Sequence, residues 1–339
     1  MNNDLTIILL IKDRHEFNKR FFQFFNFCLN RYNLIIADGG NKKIENSLIK
    51  NFIKNKKVKY IKFVEDKTYE IFYKKIYSSL KKVKTKFVLF AASDDFIVHK
   101  NLNKSLKFLK KNKGFIGCGG IMMDFRVNNK SGKKIMSQLH EKYSYIKLDH
   151  THKLDRFNSF IKNLNDLPRN CIIKKKILLE AYAYSNKMFG NNVEFKDNFT
   201  SIFNVISGKI KIFKSPLILH QSHFNSEGGQ GAKRQLSIFN NHNFIKDITD
   251  FDEFFSRKLN VKRNYVIQKY YQHVLIKFIR EMNFYSEPSI IQLRDLLKKK
   301  IKRKFNNNLS IRTNNYLNRN KIDKNTIETI EFIEKKILN

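Results

Sequence analysis

"KFVLFAASDDFIV" occupies residues 86–98. Its first part, "KFVLFAA" (86–92), is a continuous apolar run of strand length, rich in aromatic and β-branched residues. The run stops at Ser93-Asp94-Asp95, two adjacent carboxylates in a chain whose formal net charge is +37.

The same pattern recurs upstream. "LTIILLI" (5–11) is followed by Lys12-Asp13-Arg14, "NLIIADGG" (33–40) ends in Asp38 and a glycine pair, and "VKYIKFV" (58–64) is a further apolar run. Helical spacing lies between these runs. Phe17, Phe21, Phe24, Phe25, Cys28 and Leu29 form one apolar face, Ile44, Leu48, Ile49 and Phe52 a second, and Phe72, Ile76, Leu80 and Val83 a third. Strands apolar on both faces that alternate with helices predict an α/β fold with a mostly parallel central sheet flanked by helices. In such sheets ligands bind beyond the carboxyl ends of the strands. Lys12-Asp13-Arg14, Asp38-Gly39-Gly40 and Ser93-Asp94-Asp95 all fall at such ends.

Downstream the spacing predicts a helix over 100–110, strands over 114–125 and 143–148, a helix over 175–185, a helix from Asp197 to Ile206 and a strand from Lys209 to Phe213. A Gly-rich loop (226–234) follows. Val266 to Ile279 repeat at helical spacing, 293–305 reads as a strongly basic helix, and 324–338 as a final helix after an Asn-rich linker. The expected organisation is an α/β domain over 1–230 and a helical, basic C-terminal extension over 231–339.

Composition bounds the function. A chain of 339 residues that is 42% hydrophobic, with 32 Phe, can bury a real core, which excludes global disorder. Three widely spaced Cys without a C-x-x-C argue against a disulfide scaffold or a zinc site and fit a reducing cytoplasm. No apolar stretch is long enough for a transmembrane helix. Ile7 to Ile11 is too short for a signal peptide, and Asp4 stands where a positive region would be. The basic excess is mostly Lys and travels with abundant Asn, Ile and Phe and no Trp. That mixture fits an AT-rich coding bias and a solvated basic surface. Attraction to anionic lipid or to a phosphorylated ligand is the other reading.

Two carboxylates side by side repel unless a positive group joins them. A divalent cation does this, and hard oxygen ligands suit Mn²⁺ or Mg²⁺. The alternative is that "SDDF" caps the helix over 100–110. Asp38 before two glycines is a turn residue or a ligand contact, and Asp197 is a helix-start charge or a catalytic base. His220, on an apolar strand, is a core histidine or a site residue. Lys233 and Arg234 form either a solvated pair or a diphosphate clamp on a closing loop. The basic helix over 293–305 is a solvated face or a contact with anionic lipid. Tyr143, Tyr145, Tyr182 and Tyr184 are candidates for stacking on sugar rings. No G-x-x-x-x-G-K-[ST] occurs, and Gly114, Gly117, Gly119 and Gly120 do not fit a dinucleotide fingerprint. Close packing or backbone approach is their expected role.

The order of these pieces resembles a family 2-type glycosyltransferase with the nucleotide-sugar-binding α/β fold called GT-A. The first strand leads into "LIKDR" where that family has a T-x-N-R-like turn. The second ends in "ADGG" where it has Asp-Gly or Asp-Asp, and "TKFVLFAASDD" is similar to its G-D-Y-I-L-F-L-D-x-D-D. Asp197 and Gly208 are 11 residues apart, and "GKIKIFKSPLILH" then supplies the family's strand, Pro216 and His220. The resemblance covers residues 4 to 225.

The resemblance implies a metal-dependent, inverting, hexosyltransferase-type enzyme that moves sugar from a UDP- or GDP-sugar to an acceptor hydroxyl, in surface polysaccharide or glycoconjugate synthesis. Asp38 would contact the base, and Asp94 would face the ribose beside Lys12 and Arg14. Asp95 would ligate Mn²⁺ or Mg²⁺ with help from His220. Asp197 would be the general base. Two positions depart from the family. Ala92 replaces the first acid of its D-x-D, and Lys196 replaces the Glu before the base, which leaves Glu194 as the nearby substitute. The expected location is cytoplasmic, with peripheral contact at the inner membrane surface. A nucleotidyltransferase acting on a sugar phosphate is the second reading, although "KDRHEF" replaces the Gly-rich basic loop that such enzymes carry after the first strand. A basic nucleic-acid-binding protein is the third.

Overall fold

The apolar runs become the strands β1 Leu5–Ile11, β2 Asn33–Asp38, β3 Val58–Lys62 and β4 Phe87–Ala92. They pair in parallel, with β1 between β2 and β4 and β3 outside β2. The structure, a computed structural model, describes residues 4–41, 52, 54–130, 133–165, 167–223, 243–273 and 322–339. Most of the helix expected at Ile44–Phe52, the 226–234 loop with Lys233 and Arg234, the later part of the Val266–Ile279 repeat and the 293–305 helix lie outside these residues.

The remaining strands are β5 Asp95–Ile97, β6 Phe115–Lys130, β7 Lys133–Tyr143, β8 Ile172–Lys174 and β9 Lys209–Gln221. The sheet order is β3-β2-β1-β4-β8-β6-β9-β5, with β7 paired to β6. β6 and β9 run with β1–β4, while β5, β7 and β8 run against them. The result is a mixed α/β fold whose sheet is flanked by helices.

Close backbone approach shapes the far half of the sheet. A Cβ on Gly120 would lie 2.1 Å from the Ser215 carbonyl oxygen, so only glycine lets β9 come this near. The register of β6 on β9 breaks at this point, opposite Pro216. A proline has no N–H to give a ladder, and a strand tolerates it at such a break. Beyond it, Ile218 to His220 pair with β5.

The helices are α1 His15–Phe24, which runs into a π turn Phe25–Leu29, α2 Tyr69–Lys82, α3 His99–Lys111, α4 Lys153–Ile161, α5 Lys175–Met188, α6 Val193–Ser207, α7 Phe244–Leu259 and α8 Lys324–Ile333. α2 shows why such a segment is helical. The Thr68 side chain accepts from Ile71 N, Glu70 sits in the first turn, and Lys81 and Lys82 sit in the last. Each charge faces the favourable end of the helix dipole.

Several sequence expectations need correction. α6 starts at Val193 rather than Asp197, because the Asn192 side chain caps it by accepting from Phe195 N. The strand expected at 143–148 is instead β7, ending at Tyr143, and Leu148 makes only an isolated bridge to Ile210. β7 is largely polar, so no apolar run betrays it. Asp94 and Asp95 do not cap α3: β5 intervenes, and the N-cap position is Val98 with no side-chain bond.

α7 lies where the sequence predicts no element. Its Phe251 and Phe255 are buried against Phe189, Phe195 and Phe199. Each such side chain contributes about 1.5–3 kcal/mol by burial. α8 and the turn after it fold back onto the first half of the chain. Glu334 Oε1 accepts from Met136 N at 2.8 Å, Asn339 Oδ1 accepts from Lys134 N at 2.7 Å, and Phe332 packs on Phe24 and Phe27. The described parts of the C-terminal extension therefore share one apolar core with the sheet.

Candidate active site

A cavity of about 720 Å³ opens beyond the carboxyl ends of β1 and β4. Lys12, Arg14, Asp94, Asp95, Asp197 and His220 all line it, so residues far apart in sequence meet there.

The antiparallel pairing of β5 with β9 sets Asp95 opposite His220. His220 Nδ1 lies 2.8 Å from Asp95 Oδ1, while Ala92 N donates to Asp95 Oδ2 at 3.0 Å. At the position where an acid would be expected, the chain thus uses a backbone amide to fix the next acid. Asp94 Oδ2 accepts from Arg14 Nη1 at 2.9 Å and lies 3.0 Å from His223 Nε2. Burial pushes the Asp94 carboxyl up, but the hydrogen bond from His223 and the charges of His220 and Arg14 outweigh it and hold it below the usual carboxylate range. Burial pushes the His220 imidazole down, yet the hydrogen bond and charge of Asp95 leave it raised overall.

Asp94, Asp95 and His220 offer ligand atoms that lie within 4.8 Å of one another. Asp94 Oδ1 is buried and has no hydrogen-bond partner among the described residues. Two carboxylates, one with an orphaned oxygen, beside an imidazole fit a divalent cation.

Asp197 sits in the second turn of α6. Tyr73 from α2 and Arg169 from the turn Leu167–Asn170 both donate to its Oδ1. Behind it, Lys196 is fully buried, with Nζ 3.2 Å from Asn186 Oδ1 and 5.0 Å from the centre of the Tyr73 ring. Burial pushes this ammonium down to about 8, against the opposing charge of Glu70. Glu194 does not line the cavity; its Oε1 accepts from Asn198 Nδ2 at 3.0 Å.

Asp38 is also outside the lining. Its Oδ1 accepts from Gly40 N at 2.8 Å, its Oδ2 accepts from Tyr60 Oη at 2.6 Å, and Lys62 Nζ stands 3.4 Å away. The acid that reaches the cavity on this side is Asp66, after β3, in a buried ion pair with Lys75. Burial drives Asp66 up and Lys75 down, and each one's charge opposes its partner's shift. Lys12 Nζ donates to the Asp66 carbonyl at 2.6 Å. A Cβ on Gly39 would fall 2.2 Å from Asp66 Oδ2, so the glycine lets this loop close.

Tyr143 and Tyr182 line the cavity, whereas Tyr145 and Tyr184 do not; Tyr184 packs on Phe203 and Phe254. Sequence reasoning missed Asp66, Tyr73, Lys75, Lys142, Arg169 and His223. None has a local motif. Only His223, three residues after His220 on the same chain exit, carried a usable signal.

No protein-family model matches this chain, and no curated protein matches it. Among solved structures it is similar to S. aureus TarS at 13% identity and a TM-score of 0.45, over 77% of this chain and 44% of that one. It is similar to a fragment of S. aureus TarS in complex with UDP-GlcNAc at 12% identity and a TM-score of 0.45, over 77% of this chain and 74% of that one. The same fragment in complex with UDP gives 13% identity and a TM-score of 0.43, over 77% and 73%. The chain therefore spans less than half the length of the full TarS chain.

Proposed function

We propose that this chain is a metal-dependent, inverting glycosyltransferase that moves a sugar from a UDP- or GDP-sugar to an acceptor hydroxyl on a surface polysaccharide or glycoconjugate. The observation that carries this reading is the single cavity lined both by the Asp94-Asp95-His220 cluster and by Asp197. Its place beyond the carboxyl ends of parallel strands supports the reading, because ligands of α/β sheets bind there.

Asp95 and His220, with Asp94, would hold Mn²⁺ or Mg²⁺, which supplies charge neutralisation to a departing diphosphate. Lys12, Arg14 and Lys142 line the cavity and add positive charge for the same anion. Asp197 would take the proton from the acceptor hydroxyl as its oxygen attacks the anomeric carbon. The bond from that carbon to the diphosphate oxygen breaks in the same step, which inverts the configuration. Arg169 and Tyr73 would fix the orientation of the Asp197 carboxylate. Of the two tyrosines in the lining, the partly exposed Tyr143 would meet a sugar, while Tyr182 is buried against Tyr73 and Phe90.

A thermal-shift panel of UDP, GDP and ADP, each with and without Mn²⁺, tests the reading. One diphosphate should stabilise the protein in a Mn²⁺-dependent way, by about 2.7 kcal/mol at 100 times its dissociation constant. If no diphosphate raises the midpoint under either condition, the reading fails.

A further inference from the structure

The loops at the other end of the sheet, where the parallel strands begin, have a different chemistry. They read "KNKK" (54–57) before β3, "KKVKTK" (81–86) before β4, "KKNKG" (110–114) before β6 and "KKK" (174–176) at the exit of antiparallel β8. None of these stretches contains a carboxylate. The topology places the last three side by side, because β4, β8 and β6 are neighbours in the sheet, while the first lies on the same edge beyond β1 and β2. Hydrogen bonds tie the loops together: Lys174 Nζ donates to the Lys113 carbonyl at 3.1 Å, and Lys175 N donates to the Lys86 carbonyl at 2.9 Å. Lys82, Lys84, Lys86, Lys111, Lys113 and Lys176 are exposed. Acids that come near this edge are paired: Asp4 with Lys110 at 2.7 Å, and Asp149, by the start of β9, with Lys211 at 2.9 Å. Like charge is pressed together here: burial and the neighbouring Lys86 both push the Lys174 ammonium down.

We infer that this edge is a docking surface for a membrane rich in anionic lipid, with the cavity held at the end of the molecule away from the lipid. The chemistry of the edge selects a membrane over a nucleic acid. Its cations are lysines, flexible point charges that suit a diffuse layer of headgroups, not the planar forks that read bases. None of the large apolar side chains that stand exposed lies in these loops, so the edge offers no stacking platform for single strands. Charge is matched at the opposite ends of these strands, where Asp38, Asp66 and Asp94 pair with Lys62, Lys75 and Arg14, and unmatched among the exposed lysines of this edge. A molecule polarised in this way meets an anionic plane with one orientation favoured.

The test compares two variants of the full chain with equal net charge. One carries Lys84→Glu, Lys113→Glu and Lys176→Glu on the lysine edge. The other carries Lys19→Glu, Lys187→Glu and Lys246→Glu, exposed positions on α1, α5 and α7. Binding is measured by cosedimentation with vesicles of phosphatidylcholine containing about a third phosphatidylglycerol, and a lysine near such a surface contributes on the order of fivefold. The edge variant should bind at least about a hundredfold more weakly than the wild type, and the other variant within about fivefold. Binding by the wild type should fall steeply between about 50 and 500 mM salt and be absent with phosphatidylcholine alone. Equal loss in both variants, or no wild-type binding to anionic vesicles, overturns the inference. So does an edge variant that keeps vesicle binding but loses binding to duplex DNA, which would give this edge to nucleic acid. The outcome is independent of whether the cavity transfers sugar.

Discussion

At the cavity end of the sheet, Asp94, Asp95, Asp66 and Asp197 are buried and each is met by a specific partner: Arg14 and His223, His220, Lys75, and Arg169 with Tyr73. At the opposite end most lysines of 81–86, 110–114 and 174–176 face water, although Lys110 pairs with Asp4 and Lys174 and Lys175 reach the carbonyls of Lys113 and Val83. Buried charges need matched geometry, because a lone one pays the full desolvation penalty. Solvated charges act through their sum. Single substitutions should therefore have large effects at one end, whereas only grouped ones should matter at the other.

The largest effect is expected at Asp197. Asp197→Asn should lower donor turnover by about 10³-fold, within the range for loss of a general base, with folding monitored by circular dichroism. A variant with wild-type turnover would take Asp197 out of the chemistry. Asp95→Asn should follow, with a loss on the order of 10²–10³ and loss of the Mn²⁺-dependent part of the thermal shift. A full metal response in that variant would place the cation elsewhere.

Lys196 sharpens the contrast, as a lysine of the cavity end that is buried instead of solvated. The unfolded chain keeps this proton up to its ordinary value of 10.5, while the folded chain releases it near 8. Between those values the unfolded state binds more protons, so stability rises with pH across that window. The group contributes about 3 kcal/mol to that rise. Lys196→Met removes it, and the variant's stability relative to wild type should shrink by that amount from pH 8 to 10.5 in chemical denaturation. A difference flat with pH would contradict this. The smallest effect belongs to the other end: Lys84→Glu alone should change stability by less than about 0.5 kcal/mol and leave donor turnover in solution unchanged.

The same contrast explains what was legible in the sequence. β1 to β4 are apolar on both faces, so each reads as an unbroken run, and an acid at the end of a run is easy to see. Asp38, Asp94 and Asp95 were found that way, although Asp38 turned out to serve its own turn, and Asp66 lines the cavity on that side. Asp66 follows "VKYIKFVE", where a charged residue already blurs the strand end. β7 and β5 were invisible for opposite reasons, one being largely polar and the other only three residues long. Arg169 and Tyr73 reach Asp197 across sequence separations that no local spacing encodes. α7 was missed although Phe244, Ile248, Phe251, Phe255 and Leu259 repeat at helical spacing, and its place against α6 is written in no local pattern.

That place determines how much of the chain must fold together. Asn192, which starts α6, is itself gripped by Asp247 Oδ2 at 2.9 Å, and Tyr270 Oη accepts from Asn198 one turn beyond. A protein cut near residue 230, where composition changes, would keep every acid of the pocket. It would still strip the aromatic side of α6 bare and leave its first turn untethered. What looks in the sequence like an appendage is thus, as far as Tyr270, a buttress of the helix that carries Asp197.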